Sequence, residues 1–203
     1  MSDGINEGID SAVHEDQDIW DENSTTEYWG FFLVDANNAL NKINQINMLW
    51  TVCHLWPSSD FFFFNCYLQW SSLVLWNGNW TASFLHSREG VIQGDPQTMI
   101  AYGICILPLI KSLKREIPNA TQTWYDDDTG ALGMSVQIET DFNLITRQGP
   151  GRGYHPELSK RVLIVNPDNL EAEKEFGARH GFKVCMGARY LGGYIGGDNS
   201  KSD

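Results

Sequence analysis

The stretch Trp124-Tyr125-Asp126-Asp127-Asp128-Thr129-Gly130 constrains this chain most, because it sets three consecutive carboxylates between an aromatic pair and a glycine. Unpaired buried charge is strongly disfavoured, so the run cannot sit inside a core element. It reads first as a solvated acidic loop. The other reading is a tight turn between two strands that presents acids to a divalent cation. Two carboxylates about 4 Å apart repel by about 4 kcal/mol at an effective dielectric near 20, so a site that gathers several also holds a metal, a proton or a cationic partner. The rest of the chain decides between them.

The 203 residues are 42% hydrophobic and 12% aromatic, enough for one large domain or one domain with an appendage. Cys53, Cys66, Cys105 and Cys185 have apolar neighbours, no C-x-x-C spacing and no histidine at ligand spacing. They read as buried free thiols in a reducing compartment. The acidic N-terminus has no basic segment followed by an apolar one, so no secretory signal is expected. The strongly apolar stretch Met99–Ile110 is too short to span a bilayer and carries Pro108. These features predict an intracellular protein with no membrane partner, and leave nucleus and cytoplasm open.

The net charge of −12 is unevenly placed. Residues 1–30 hold nine Asp or Glu and no Lys or Arg, which leaves 17 acids against 14 bases in the remaining 173 residues. The first 30 residues form a separate electrostatic unit, an amphipathic helix or a tail. No basic patch that would grip a phosphate backbone stands out.

Trp29–Val34 is a continuous apolar run that ends abruptly at Asp35, the pattern of a strand buried on both sides. Ala39–Trp56 and Asp60–Trp70 read as helices, with Phe61–Phe64 expected in the core. Leu73–Leu75 and Ala82–Leu85 flank Asn77-Gly78-Asn79, a hairpin signal. Pro96 suits the first turn of a long helix to Glu116, kinked at Pro108. Thr121–Tyr125 and Thr129–Leu132 read as strands around the aspartates. A helix over Val136–Arg147, a strand over Arg161–Val165, a helix over Leu170–His180, a strand over Phe182–Cys185 and a last strand or hairpin over Tyr190–Ile195 follow. Helices cluster early with hairpins between, which predicts an α+β fold rather than a doubly wound parallel sheet.

Asp35 and the aspartate run both follow apolar strands, so they can meet at the rim of one sheet. Magnesium suits such a place, since it takes one or two carboxylates with waters and substrate phosphates. Asp35 reads equally well as a cap for the helix that follows.

Val34-Asp35-Ala36-Asn37-Asn38-Ala39, then Gly90-Val91-Ile92-Gln93-Gly94-Asp95-Pro96, Tyr125-Asp126-Asp127-Asp128, Lys160 after Gly153 and Pro156, and Tyr190-Leu191-Gly192-Gly193 occur in that order. Over roughly residues 30–197 this set resembles the palm of a reverse transcriptase of the non-LTR-retrotransposon kind. The resemblance implies an antiparallel sheet backed by helices, with part of the fingers and no thumb. It implies RNA-directed DNA polymerase activity on an RNA or DNA template with a primer and deoxynucleoside triphosphates. It also implies two Mg2+ ions, with Mn2+ as the alternative.

By the same resemblance Asp35, Asp127 and Asp128 are metal-binding catalytic acids, and Lys160 is the general acid toward pyrophosphate. Asn37, Asn38, Ala39, Leu40, Gln93 and Gly94 line the nucleotide, the first three through backbone N–H groups. Tyr190, Leu191 and Gly192 hold the primer terminus. The chain departs from the pattern at Leu40, where an aromatic ring normally excludes the ribose 2′-hydroxyl. It departs again at Asp126, a third charge expected to point away or to weaken the site. Missing fingers and thumb parts, with no basic groove, predict weak and salt-sensitive nucleic-acid binding. The competing readings are a catalytically inactive retroelement remnant and a protein-interaction module whose acidic leader binds a basic partner.

Overall fold

The apolar run at Trp29 forms strand β1 (Trp29–Asp35), buried along its first six residues. The fold, a computed structural model, is described for residues 8–69, 71–76, 78, 82–91 and 96–197. Strand β1 is the middle of a five-stranded sheet with β4 (Thr121–Tyr125), β5 (Asp128–Met134), β6 (Val162–Val165) and β7 (Lys183–Cys185), in the order β4-β5-β1-β6-β7. All neighbouring pairs are antiparallel except β6 and β7. That parallel pair is joined by helix α6 (Leu170–His180), as a parallel connection requires a crossover.

Side chains alternate along β1, so each face of the strand builds its own cluster. Trp29, Phe31 and Leu33 pack with Leu132, Ile164, Tyr190 and Ile195 on one face. Phe32 and Val34 pack with Ala131, Ile138, Phe142, Leu163, Val165 and Phe182 on the other. Helices α5 (Ser135–Gln148) and α6 back this second face. A third cluster lies among α2 (Gln45–Leu55), α3 (Asp60–Tyr67) and α4 (Thr98–Glu116). Helix α4 starts two residues after Pro96 and runs on through Pro108.

The expected helix over Ala39–Trp56 is divided. A 3-10 turn covers Ala39–Lys42, Ile43 is extended, and Asn44 caps α2 by accepting from Asn47 N–H. Tertiary contacts explain the break, because the Leu40 and Ile43 carbonyls accept from Val91 and Gly90 N–H at 2.8 and 2.9 Å rather than continuing a helix. Of the four consecutive phenylalanines, only Phe63 is fully buried, while Phe61 is 80% exposed. All four cysteines are free, and only Cys105 is buried. Strands β2 (Ser71–Trp76) and β3 (Ala82–Ser87) form a separate hairpin with exposed Leu73–Trp76, Phe84 and Leu85. Its expected turn residues Asn77 and Asn79 lie outside the described residues. Among the described residues, no helix is long and apolar enough to cross a membrane.

The acidic leader forms helix α1 (Gly8–Asn23), and it is docked. Trp20 is 2% exposed and packs on Trp29 with ring centroids 5.6 Å apart. Asp10, Glu15, Asp18, Asp21 and Glu22 lie on the exposed side. Trp20→Ala should therefore cost about 3–5 kcal/mol, the range for emptying a buried tryptophan site, read as a lower urea midpoint at unchanged m-value.

Buried Asp141 on α5 accepts from Gln122 Nε2 at 2.8 Å, and burial pushes its carboxyl up to about 7. A raised acid binds its proton more tightly in the folded state, so its contribution is present at low pH and lost as pH rises from about 4 through about 7. Asp141→Asn should flatten this part of the stability profile, measured by urea unfolding at pH 5 and pH 8.

Candidate functional site

Strand β1 ends at Asp35, which is the register partner of Asp128 at the start of β5. Tyr125 of β4 pairs with the same Asp128, which leaves Asp126 and Asp127 as the two-residue turn. Asp126 has φ 49, a left-handed conformation that Gly, Asn and Asp adopt more readily than other residues. This gives the third aspartate a backbone role. The Asp127 carbonyl accepts from Ala36 N–H at 2.9 Å, tying the turn to the chain that leaves β1.

A second segment closes the site. Asn37 N–H donates to the His155 carbonyl and Glu157 N–H to the Asp35 carbonyl, both at 2.7 Å. The Asn37 N–H is thus engaged within the protein and is not free for a triphosphate. Its side chain donates to Glu157 Oε2 at 2.6 Å and accepts from Lys42 Nζ at 2.9 Å. A 3-10 turn over Leu158–Lys160 follows. Arg161 holds this turn, donating to the Leu158 and His180 carbonyls at 2.7 and 2.8 Å with its guanidinium 5.1 Å from the Phe142 ring centre. Lys160 Nζ then donates to Asp35 Oδ2. Asp35 Oδ1 is buried without a partner.

A cleft of about 400 Å³ is lined by Asp35, Asn37, Asn38, Ala39, Leu40, Asp126, Asp127, Glu157 and Lys160. The carboxyls of Asp35 and Asp127 therefore serve one cleft rather than opposite sides of the sheet. Asp126 borders it as well. Asn38 to Leu40 open a 3-10 turn, whose first N–H groups have no acceptor within the turn. Asp128 instead borders a second cavity of about 220 Å³, with Asp35, Lys160, Tyr190 and Leu191. Tyr190 and Leu191 come from the hairpin of β8 (Gly187–Tyr190) and β9 (Gly193–Gly196). Leu191 and Gly192 form its turn at φ 49 and 81, an arrangement a leucine adopts only under strain. Gly192 borders neither cavity. Gln93 and Gly94 lie outside the described residues.

Charge crowding is evident. Burial, followed by Asp127, Asp35 and Asp126, pushes the Asp128 carboxyl up to about 6. Burial also raises Asp127, and the charge and side-chain contact of Asp35 add to it. The hydrogen bond to Asp35 raises the Lys160 ammonium, which keeps it protonated. A bound cation would relieve the same repulsion.

Among the described residues, no group of three or more His, Cys, Asp or Glu is gathered as a metal cluster. The donors fit a smaller set. Asp35 and Asp127 share the large cleft, and two carboxylates with water suit magnesium. Asp128 is separated from Asp127 because adjacent residues leaving a turn point to different sides.

Glu157, which orients Asn37, carries no signal in the sequence; it is one acid in a polar stretch. Tyr154, fully buried with its hydroxyl 2.8 Å from Thr129 Oγ1, is equally unmarked.

The architecture has known counterparts. Telomerase from Candida tropicalis truncated from its C-terminal domain matches with a TM-score of 0.62 at 15% identity, over 81% of this chain and 36% of that one. Telomerase from the same organism in complex with a TWJ fragment of telomeric RNA gives 0.63 at 12% identity, over 79% of this chain and 29% of that one. Candida albicans telomerase with such a fragment gives 0.62 at 10% identity, over 79% and 31%. The chain has a reverse-transcriptase-like fold, similar to the telomerase palm. It spans about a third of the length of these solved chains. No protein-family model and no curated protein sequence matches.

The turn geometry separates shape from charge. Asp126→Ala should destabilise by about 1–2 kcal/mol because alanine resists positive φ, whereas Asp126→Asn should be near neutral, both read from urea midpoints.

Proposed function

We propose that this chain is the palm portion of an RNA-directed DNA polymerase of the non-LTR-retroelement kind. It would add deoxynucleotides to a primer 3′ end on a nucleic-acid template. The observation that supports it most is the convergence of Asp35, Asp127 and Lys160 on one cleft from three separate segments of the chain. The neighbours solved with telomeric RNA fragments support nucleic acid as the partner class.

In this reading Asp35 and Asp127 hold Mg2+ or Mn2+, with Asp128 flanking them from the second cavity. Such ions, held by these residues, would supply activation of the primer 3′-hydroxyl and charge stabilisation for the leaving pyrophosphate. Lys160 keeps a proton on Nζ and supplies it to the leaving group, releasing Asp35 as it does so. The first N–H groups of the turn at Asn38–Leu40 orient the triphosphate, and Leu40 walls the sugar. Leucine is slimmer than an aromatic ring there, so discrimination against ribonucleotides is relaxed. Tyr190 and Leu191 support the primer terminus beside Asp128.

One observation favours a second reading, a remnant that keeps the fold without synthesis. Lys160 occupies one Asp35 oxygen, and Asp127 and Asp128 border different cavities. That reading predicts cation binding without nucleotide incorporation.

Primer extension with Mg2+ or Mn2+ on an RNA template tests both. Under the polymerase reading, Asp127→Asn should lower incorporation by at least about a hundredfold, while Asp126→Asn retains it. Extension that survives Asp127→Asn removes that residue from the chemistry. No extension by the parent chain, with Mn2+ still bound in titration calorimetry, supports the remnant.

A further inference from the structure

One buried carboxylate on the same face of the sheet has no part in the proposed chemistry. Asp16 of α1 is 1% exposed, and its Oδ1 accepts from Thr123 Oγ1 at 2.7 Å. Its Oδ2 is buried without a partner. Thr123 is the register partner of Gly130. A Cβ built on Gly130 would lie 3.1 Å from the Tyr190 hydroxyl and 2.6 Å from the Phe31 ring. Asp16, Thr123 and the Tyr190 hydroxyl therefore meet over a single cross-strand pair. The missing side chain at Gly130 makes the room. The Tyr190 hydroxyl is itself buried and unpartnered; burial, followed by the Asp16 charge, raises its pKa.

The same helix touches the hairpin elsewhere. A Cβ on Gly193 would lie 2.5 Å from a Val13 methyl, so the helix and β9 are in close contact. Helix α1 packs more extensively on β9 than on any strand of the five-stranded sheet. The β8–β9 pair forms a sheet of its own, not hydrogen-bonded into the larger one. A two-stranded hairpin is marginal alone, so its seat depends on what it packs against. On the sheet side that is β6, with Ile164, and Phe31, edge-on to Tyr190 with centroids 5.3 Å apart. On the other side it is α1.

We propose that Asp16 is a positioning residue: it pins α1 to Thr123, and α1 in turn seats the β8–β9 hairpin so that Tyr190 and Leu191 stand beside Asp128. The consequence for primer binding rests on the polymerase reading above; the brace itself does not. An apolar residue at 16 would fill the space but leave the Thr123 hydroxyl without an acceptor. Asparagine keeps an acceptor at the same place.

Hydrogen exchange on the full chain tests the brace without any activity. In Asp16→Ala, amides of residues 187–196 should exchange about tenfold faster or more, while those of β1 and β5 keep their protection. Asp16→Asn should restore the hairpin, and Thr123→Val should loosen it as Asp16→Ala does. Uniform loosening of hairpin and sheet, or an unchanged hairpin, overturns the proposal. Should Asp16→Ala not fold, the contrast between Asp16→Asn and Thr123→Val decides by the same criterion. In primer extension, Asp16→Ala should raise KM for primer–template and leave kcat near the parent value. A parent chain without extension activity overturns the polymerase reading alone, and the exchange pattern still decides the brace.

Discussion

The antiparallel pairing of β1 with β5, in the register that sets Asp35 opposite Asp128, is the constraint on which the site depends. Strand β1 is buried on both faces, so its register is held by two hydrophobic clusters at once. A slip of one residue would carry Phe31 and Leu33 to the wrong face and take Asp35 away from the rim. The acids are thus located by the apolar residues behind them. Their own interactions oppose the arrangement, since burial and mutual repulsion raise Asp127 and Asp128.

What offsets that repulsion comes from far along the chain. Lys160 reaches Asp35 from a 3-10 turn held by Arg161, which is clamped between backbone carbonyls and the faces of Phe142 and Phe182. A cation on a rigid mount costs less entropy to hold than a free lysine would. The arrangement also explains how one lysine serves two cavities, because Lys160 and Asp35 border both. Asp127 and Asp128, adjacent in sequence, are divided between them.

Much of the fold was legible because burial has a period. The unbroken run at Trp29 marked a doubly buried strand, and α6 appeared with the expected bounds. Failures came where tertiary contacts overrode local pattern. The helix expected from Ala39 is interrupted at Ile43, where the chain's carbonyls bond Gly90 and Val91. Phe61–Phe64 reads as core, yet one face of α3 is exposed, and only Phe63 is fully buried. The acidic leader reads as an amphipathic helix or a tail, and it is a helix; what its charge hides is the docking. Trp20 and Asp16 nonetheless bury it against the sheet, because one face of the helix outweighs the acids on the other.

The sequence by itself determined that the acids must end up at the ends of the apolar elements or in the loop between them, because neither Asp35 nor the aspartate run can be accommodated inside those elements. It also determined the α+β class, through the alternation of hairpin and helix patterns. Only the tertiary structure decided which acids meet. Local pattern cannot show that Asp126 supplies a turn conformation, that Asp127 joins Asp35 and Lys160, or that Asp128 faces Tyr190 and Leu191. These are matters of register and of side-chain direction across strands distant in sequence. Asp16 and Glu157 belong with them, since each acquires its partner only when segments more than 100 residues apart are brought together.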